Sequence, residues 1–180
     1  MVLSVFVSAC SNNITTAGMG LETAPVMGNE YRLAPGDVVQ VNVFRDPDLS
    51  GTYKIDRNGM ITLPLLGQTP AEHATIDLLE EDLTNRLAEG YLVDPIVSIE
   101  ITSYRPVFVS GEVKNPGSYT YDTSLNVFQA VTLAGGLTPR GKRNAYVIMR
   151  ETHNGTKYYK ANDTTPVYPG DSIYIEERLF

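Results

Sequence analysis

"YRLAPGDVVQVNVF", residues 31–44, is where the chain acquires a period. Val39, Val41 and Val43 alternate with Gln40, Asn42 and Phe44, the two-residue repeat of a strand with one face in a core and the other partly covered. Pro35-Gly36-Asp37 makes the corner ahead of it. Pro presets φ, Gly turns freely, and Asp can hydrogen-bond the backbone leaving the turn. The same tripeptide returns at 169–171, in "VYPGDSIYI", again directly before an alternating run. Two copies of a common strand opening do not establish a duplication.

Working outward, residues 11–28, "SNNITTAGMGLETAPVMG", are small and polar without any period, which predicts a flexible tether. On the other side, "YKIDRNGMITLPLLG" (53–67) holds two β-prone runs joined by Asp56-Arg57-Asn58-Gly59; an Asn-Gly pair tolerates positive φ, and a hairpin is predicted. In "ATIDLLEEDLTNRLAEG" (74–90), Ile76, Leu79, Leu83 and Leu87 form one helical stripe. Thr75 is placed to cap it, Asp77 suits its positive end, and Gly90 stops it. "IVSIEI" (96–101) is strand-like again, so a β-β-β-α-β unit fits 31–101.

The second half repeats the style. In "SYRPVFVSGEVKNPGSYTY" (103–121), β-rich segments flank the turn Lys114-Asn115-Pro116-Gly117. "SLNVFQAVTLAGG" (124–136) reads as a helix capped by Ser124, with Leu125, Phe128, Val131 and Leu133 on or near one face and Gly135-Gly136 at its end. "AYVIMR" and "TKYYK" pair around Asn154-Gly155, and "SIYI" closes the pattern. The predicted class is α+β: two small β-rich units, each with one helix.

A chain of 180 residues suits one ordinary domain or two small ones, and 42% hydrophobic with 19% charged residues is a globular composition. The net charge of −7 argues against nucleic acid as a partner. The densest basic run, Arg140, Lys142 and Arg143, is interrupted by Gly141 and reads as a solvated loop. No stretch approaches the roughly 20 apolar residues of a membrane helix. "MVLSVFVSA" is apolar but short, with no Lys or Arg before Arg32; either it is no leader, or the sequence begins inside one.

No catalytic constellation can be assembled, and no metal or cofactor site is predicted. His73 and His153 lack partners at metal-ligand spacing. "GMGLET" lacks the third Gly of a phosphate loop and follows no strand. "DPDLSGTYKIDR" (46–57) imitates the first half of a calcium loop through Asp46, Asp48, Ser50 and Gly51. Its twelfth position is Arg57, a cation where a bidentate carboxylate is needed. Sequons at Asn13, Asn154 and Asn162 have meaning only in a eukaryotic secreted protein. Tyrosine is unusually common, 11 against no Trp, and alternating positions favour strand packing over sugar stacking.

The runs "YRLAPGDVVQVNVFRDPDLSGTYKIDRNGMITLPLLG", "EGYLVDPIVSIEITSYRPVFVSGEVKNPGSYTY" and "VFQAVTLAGGLTPRGKR", in this order, resemble the bacterial outer-membrane polysaccharide export family. The resemblance runs from about Tyr31 to the C-terminus. It implies an export domain at 29–103 and a soluble-ligand-binding β-grasp domain at 104–180, marked by "VSGEVKNPGSY" and "LAGG". By resemblance the chain is a non-enzymatic periplasmic lipoprotein. It would assemble as a homo-oligomeric ring for capsular polysaccharide or exopolysaccharide cargo. It would dock on an inner-membrane co-polymerase or chain-length protein, often linked to a kinase.

In that light "VSAC" (7–10) resembles a lipobox. Residues 1–10 become the end of a truncated lipoprotein signal, 11–28 the tether, and Cys10 the site of lipid attachment to the outer membrane, on its periplasmic face. Larger family members continue into an amphipathic pore helix, whereas nothing after Ile175 is long enough to cross a bilayer, so a ring-forming adaptor is expected. A periplasmic glycan- or ligand-binding module without a conduit role is the alternative. A polysaccharide-modifying enzyme would need two carboxylates facing across a groove, and no pair can be singled out.

Overall fold

The alternation at 38–43 becomes burial. Val39, Val41 and Val43 are all in the core, while Asn42 faces solvent. The computed structural model describes residues 22–24, 31–152 and 155–178. The described elements run β1 (Glu22–Thr23), β2 (Val38–Val43), β3 (Gly51–Lys54), β4 (Met60–Leu63), β5 (Gly67–Pro70), α1 (Ile76–Ala88) and β6 (Val97–Ser103). Then follow β7 (Val107–Gly111), β8 (Gly117–Tyr119), α2 (Val127–Leu133), β9 (Gly141–Thr152), β10 (Gly155–Ala161) and β11 (Ser172–Glu177). The fold is α+β, with two separate hydrophobic clusters.

The first cluster lies beneath an antiparallel sheet ordered β3-β2-β6 and a hairpin, β4-β5. Helix α1 begins as its sequence requires: Thr75 Oγ1 accepts the Leu78 amide at 3.3 Å, and Asp77 sits in the first turn. Leu79, Leu83 and Leu87 are buried, each worth about 1.5–3 kcal/mol of transfer free energy. Glu80 extends from the helix to the edge strand β6, where its carboxylate accepts the Ile99 amide at 2.6 Å. The helix side chain thus satisfies a donor that a neighbouring strand would otherwise take.

The turn at Asp56–Gly59 forms, with Asp56 Oδ1 accepting the Asn58 and Met60 amides and Gly59 at φ 75°. It does not join the predicted hairpin, however. β3 pairs with β2 and β4 with β5 instead. An extra strand, β5, begins where the two predicted runs end, so the unit is β-β-β-β-α-β.

The second cluster lies on one face of a six-stranded mixed sheet ordered β1-β10-β9-β11-β7-β8. β11 inserts between β9, antiparallel, and β7, parallel. The turn at 114–117 joins β7 to β8 as expected, and Thr152 pairs with Gly155 across the β9–β10 connection. Helix α2 starts later than predicted. Asn126, not Ser124, is its cap, in a reciprocal capping box with Gln129 (2.9 Å each way). Ser124 instead bonds Asp122 in the preceding turn. The buried face is therefore Val127, Ala130 and Val131, and Phe128 and Leu133 point outward. Glu22 and Thr23, within the stretch read as tether, pair in parallel with Tyr159 and Lys160 on the edge of β10; the edge supplies a partner that their own pattern did not announce.

Candidate functional site

Only Tyr104, Arg105 and Pro106 separate β6 from β7, and this short linker is gripped by both Pro-Gly-Asp corners. The corners are built alike. In each, Gly has positive φ (Gly36 99°, Gly170 84°) and the Asp is fully buried. In each, one carboxylate oxygen accepts the amide three residues upstream at 2.9 Å, from Ala34 to Asp37 and from Tyr168 to Asp171. A charged group that is removed from water must be paired, and each Asp has its arginine. Arg150 grips Asp171 in a fork, Nε to Oδ1 at 2.8 Å and Nη2 to Oδ2 at 2.7 Å. Arg105 gives its amide to Asp37 Oδ1 at 2.8 Å and its guanidinium to Oδ2 at 3.4 Å.

Arg105 belongs to both corners. A Cβ on Gly36 would stand 3.3 Å from its Cβ, and one on Gly170 would collide with its Nε. Pro106 O accepts the Gly170 amide at 3.2 Å, and Asp171 O accepts the Phe108 amide at 2.9 Å. Tyr31 completes the joint: its hydroxyl donates to Asp37 Oδ2 at 2.7 Å and accepts from Arg105 at 3.1 Å. Burial, and then the bond to Asp37, raise its pKa far above the usual tyrosine range. Edge-on contacts at 5.1 and 5.3 Å extend the aromatic chain from Tyr31 through Tyr104 to Tyr121. The sequence showed the two tripeptides but not their arginines, which lie 68 and 21 residues from their partners.

A second feature is a cleft of about 480 Å³ on the flank of α2. Its walls are Phe128 and Thr132 of the helix, the loop at Gly136–Pro139, the start of β9, Asp163 and Arg178. Lys142 and Arg143, expected in a solvated loop, lie on strand β9, because Gly141 pairs with Glu177 across a bulge. Lys142 reaches Glu176 at 3.5 Å, and Arg178 donates to Pro139 O at 3.3 Å. Tyr146 donates to Asp163 Oδ1 at 2.7 Å; burial and this bond push its pKa up, while a hydrogen bond with the Asn144 backbone and, less strongly, the Arg143 charge pull it the other way.

The remaining candidates are placed as follows. Ser50 of the calcium-like stretch closes the β2–β3 turn, accepting the Val43 amide and donating to Asp46 O, both at 2.9 Å, and Gly51 opens β3. Among the described residues no group of three or more His, Cys, Asp or Glu side chains could hold a metal. His73 is exposed, 3.9 Å from Glu72. Asn162 folds back to accept from Thr164 in a local turn. Tyr146 and Tyr159 pack in the core, as strand packing requires, but Tyr158 and Tyr174 are exposed. Cys10, His153, Asn13 and Asn154 lie outside the described residues. No helix among the described residues is long and apolar enough to cross a membrane.

Comparison with known proteins gives two family matches in tandem: Polysaccharide biosynthesis/export protein over residues 26–102, and the SLBB domain over 106–161. The chain is 36% identical to the exopolysaccharide production protein ExoF of Rhizobium meliloti, over 61% of this chain and 29% of that protein. It is 30% identical to the polysialic acid transport protein KpsD of Escherichia coli, over 82% of this chain and 26% of KpsD. It is also 25% identical to the EPS I polysaccharide export outer membrane protein EpsA of Ralstonia solanacearum, over 71% and 40%. The chain thus spans between about a quarter and two fifths of the length of the curated relatives it matches.

Proposed function

The chain belongs to the bacterial polysaccharide export protein family, and from that premise we propose that it is a non-enzymatic subunit of an export conduit for capsular polysaccharide or exopolysaccharide. The observation that carries this reading is the tandem of the two family matches, which meet at the linker that Arg105 pins to both corners. A subunit that lines a conduit must hold its two parts in fixed relation while polymer passes. A joint built on two fully buried, hydrogen-bonded aspartates supports such a role.

In this reading residues 29–103 are the export domain and 104–180 the β-grasp domain. Residues 11–28 lead from them to Cys10, with Glu22 and Thr23 paired to the edge of β10 on the way, and the lipid on Cys10 anchors the subunit at the periplasmic face of the outer membrane. The subunits close into a ring through a heterologous interface, one face of a subunit meeting a different face of the next. The ring docks on an inner-membrane co-polymerase linked to a kinase. The relatives' printed roles in polysaccharide transport and outer-membrane export support this assignment.

The test is the fate of the polymer when the gene is deleted in its host, assayed in the medium, on the cell surface and in the periplasm. Loss from the surface, with polymer retained in the periplasm or synthesis reduced, is the expected outcome. Normal amounts outside the cell would overturn the conduit role and leave a glycan-binding module. Radiolabelled palmitate incorporation that disappears in Cys10→Ser checks the anchor, and mass photometry of the detergent-extracted protein checks the ring.

A further inference from the structure

The cleft beside α2 has the shape and charge of a ligand site, and no role has yet been assigned to it. Its volume of about 480 Å³ lies within the roughly 300–1,000 Å³ typical of small-ligand clefts. Three cations, Lys142, Arg143 and Arg178, face one carboxylate, Asp163, in a chain whose net charge is −7. Two of the cations are already engaged, Lys142 by Glu176 and Arg178 by Pro139 O. Arg143 is exposed and makes no ion pair or hydrogen bond within the described residues, so a ligand need not displace an existing partner from it.

The walls are held in place before any ligand arrives. Tyr146 is fixed by Asp163, and Thr138 by Glu112. A Cβ on Gly141 would stand 2.9 Å from Glu112 O, so the start of β9 packs directly on the backbone at Glu112. Preorganisation of this kind lowers the ordering cost of binding. Phe128 leaves 58% of its surface open on the helix wall, an apolar plate beside the cationic side.

We propose that this cleft binds a carboxylate-bearing sugar unit of an acidic polysaccharide, with the Arg143 guanidinium on the carboxylate and the Phe128 ring against the C–H face of the pyranose. One free guanidinium matches one carboxylate in a fork. Asp163 can accept from sugar hydroxyls but repels a dianion, which favours a carboxylate over a phosphate. That the ligand is a saccharide rests on the export reading; the position of the anion site does not.

The test uses the full 180-residue chain, isotopically labelled, titrated with trigalacturonate and with neutral maltotriose and followed by NMR. Trigalacturonate is expected to shift amides at 128–143, weakening with added salt, and maltotriose to bind at least about tenfold more weakly. Arg143→Gln should lower trigalacturonate affinity by about tenfold or more. Phe128→Ala should weaken it without altering the salt dependence, and Arg57→Gln, on a turn of the first unit, should change nothing. Both substituted cleft side chains are exposed, so folding is preserved. Equal binding of the two trisaccharides, or full affinity in Arg143→Gln, overturns the proposal. If trigalacturonate does not bind while deletion still removes surface polymer, the site is refuted and the export reading stands. If it binds and deletion leaves export normal, the site holds and the export reading falls.

Discussion

Gly170 lies against the side chain of Arg105 so closely that a Cβ on the glycine would collide with the guanidinium Nε. The glycine also holds φ at 84°, a conformation that L side chains rarely adopt. Gly170→Ala should therefore cost about 1–3 kcal/mol in urea unfolding, from strain and collision together. In the Arg105→Ala background the cost should shrink, because only the strain remains. Purely additive effects in that double-mutant cycle would show that the two residues are not coupled.

The second corner carries the tighter ion pair. Asp171→Asn removes the charge from a fork whose two side chains are almost wholly buried and takes from Arg150 its carboxylate. A loss of about 3–5 kcal/mol is expected, read from the unfolding midpoint at unchanged slope. Replacing both partners while keeping an acceptor for the Tyr168 amide, as Arg150→Met with Asp171→Asn, should cost less than Asp171→Asn alone.

Tyr31 links stability to alkaline pH. Its pKa in the fold is raised above the value of about 10 that it has in the unfolded chain. A raised folded pKa gives stability that is complete below the unfolded value and lost as pH climbs toward the folded one. Between neutrality and pH 9 the contribution of Tyr31 should be flat, and above about pH 10 it should decline. Tyr31→Phe should be less stable near pH 7, having lost the bond to Asp37, but should fall less steeply with alkaline pH. Parallel curves for the two proteins would contradict the assignment.

At α2, Asn126→Ala removes one side of the capping box and should cost about 1 kcal/mol, whereas Ser124→Ala should stay within about 0.5 kcal/mol. Thermal unfolding of the two variants distinguishes them. Equal losses would restore Ser124 as the cap.

Local chemistry was legible wherever neighbours in the chain decide the outcome. Thr75 caps α1 and Leu79, Leu83 and Leu87 bury, because one turn of helix brings these positions together without help. Ser124 was a plausible cap by residue type, but Asn126 can reach Gln129 reciprocally, and that pairing shifts the start by two residues and turns Phe128 outward. Asn58-Gly59 turned as its residues demand, yet the strands it separates found other partners, since pairing is settled by which edges lie open in three dimensions.

By itself the sequence determined the class of fold, the main helix, the corners at Pro35 and Pro169, and the order of motifs that marks the family. These depend on backbone preference, on period and on residues a few positions apart. Only the tertiary structure decided that β11 enters between β9 and β7, that Arg105 and Arg150 neutralise the buried aspartates, and that Lys142, Arg143 and Arg178 meet at one cleft. Burying a carboxylate fixes that some cation must come to it. Which cation arrives is set by the path of the chain, and no local spacing encodes that path.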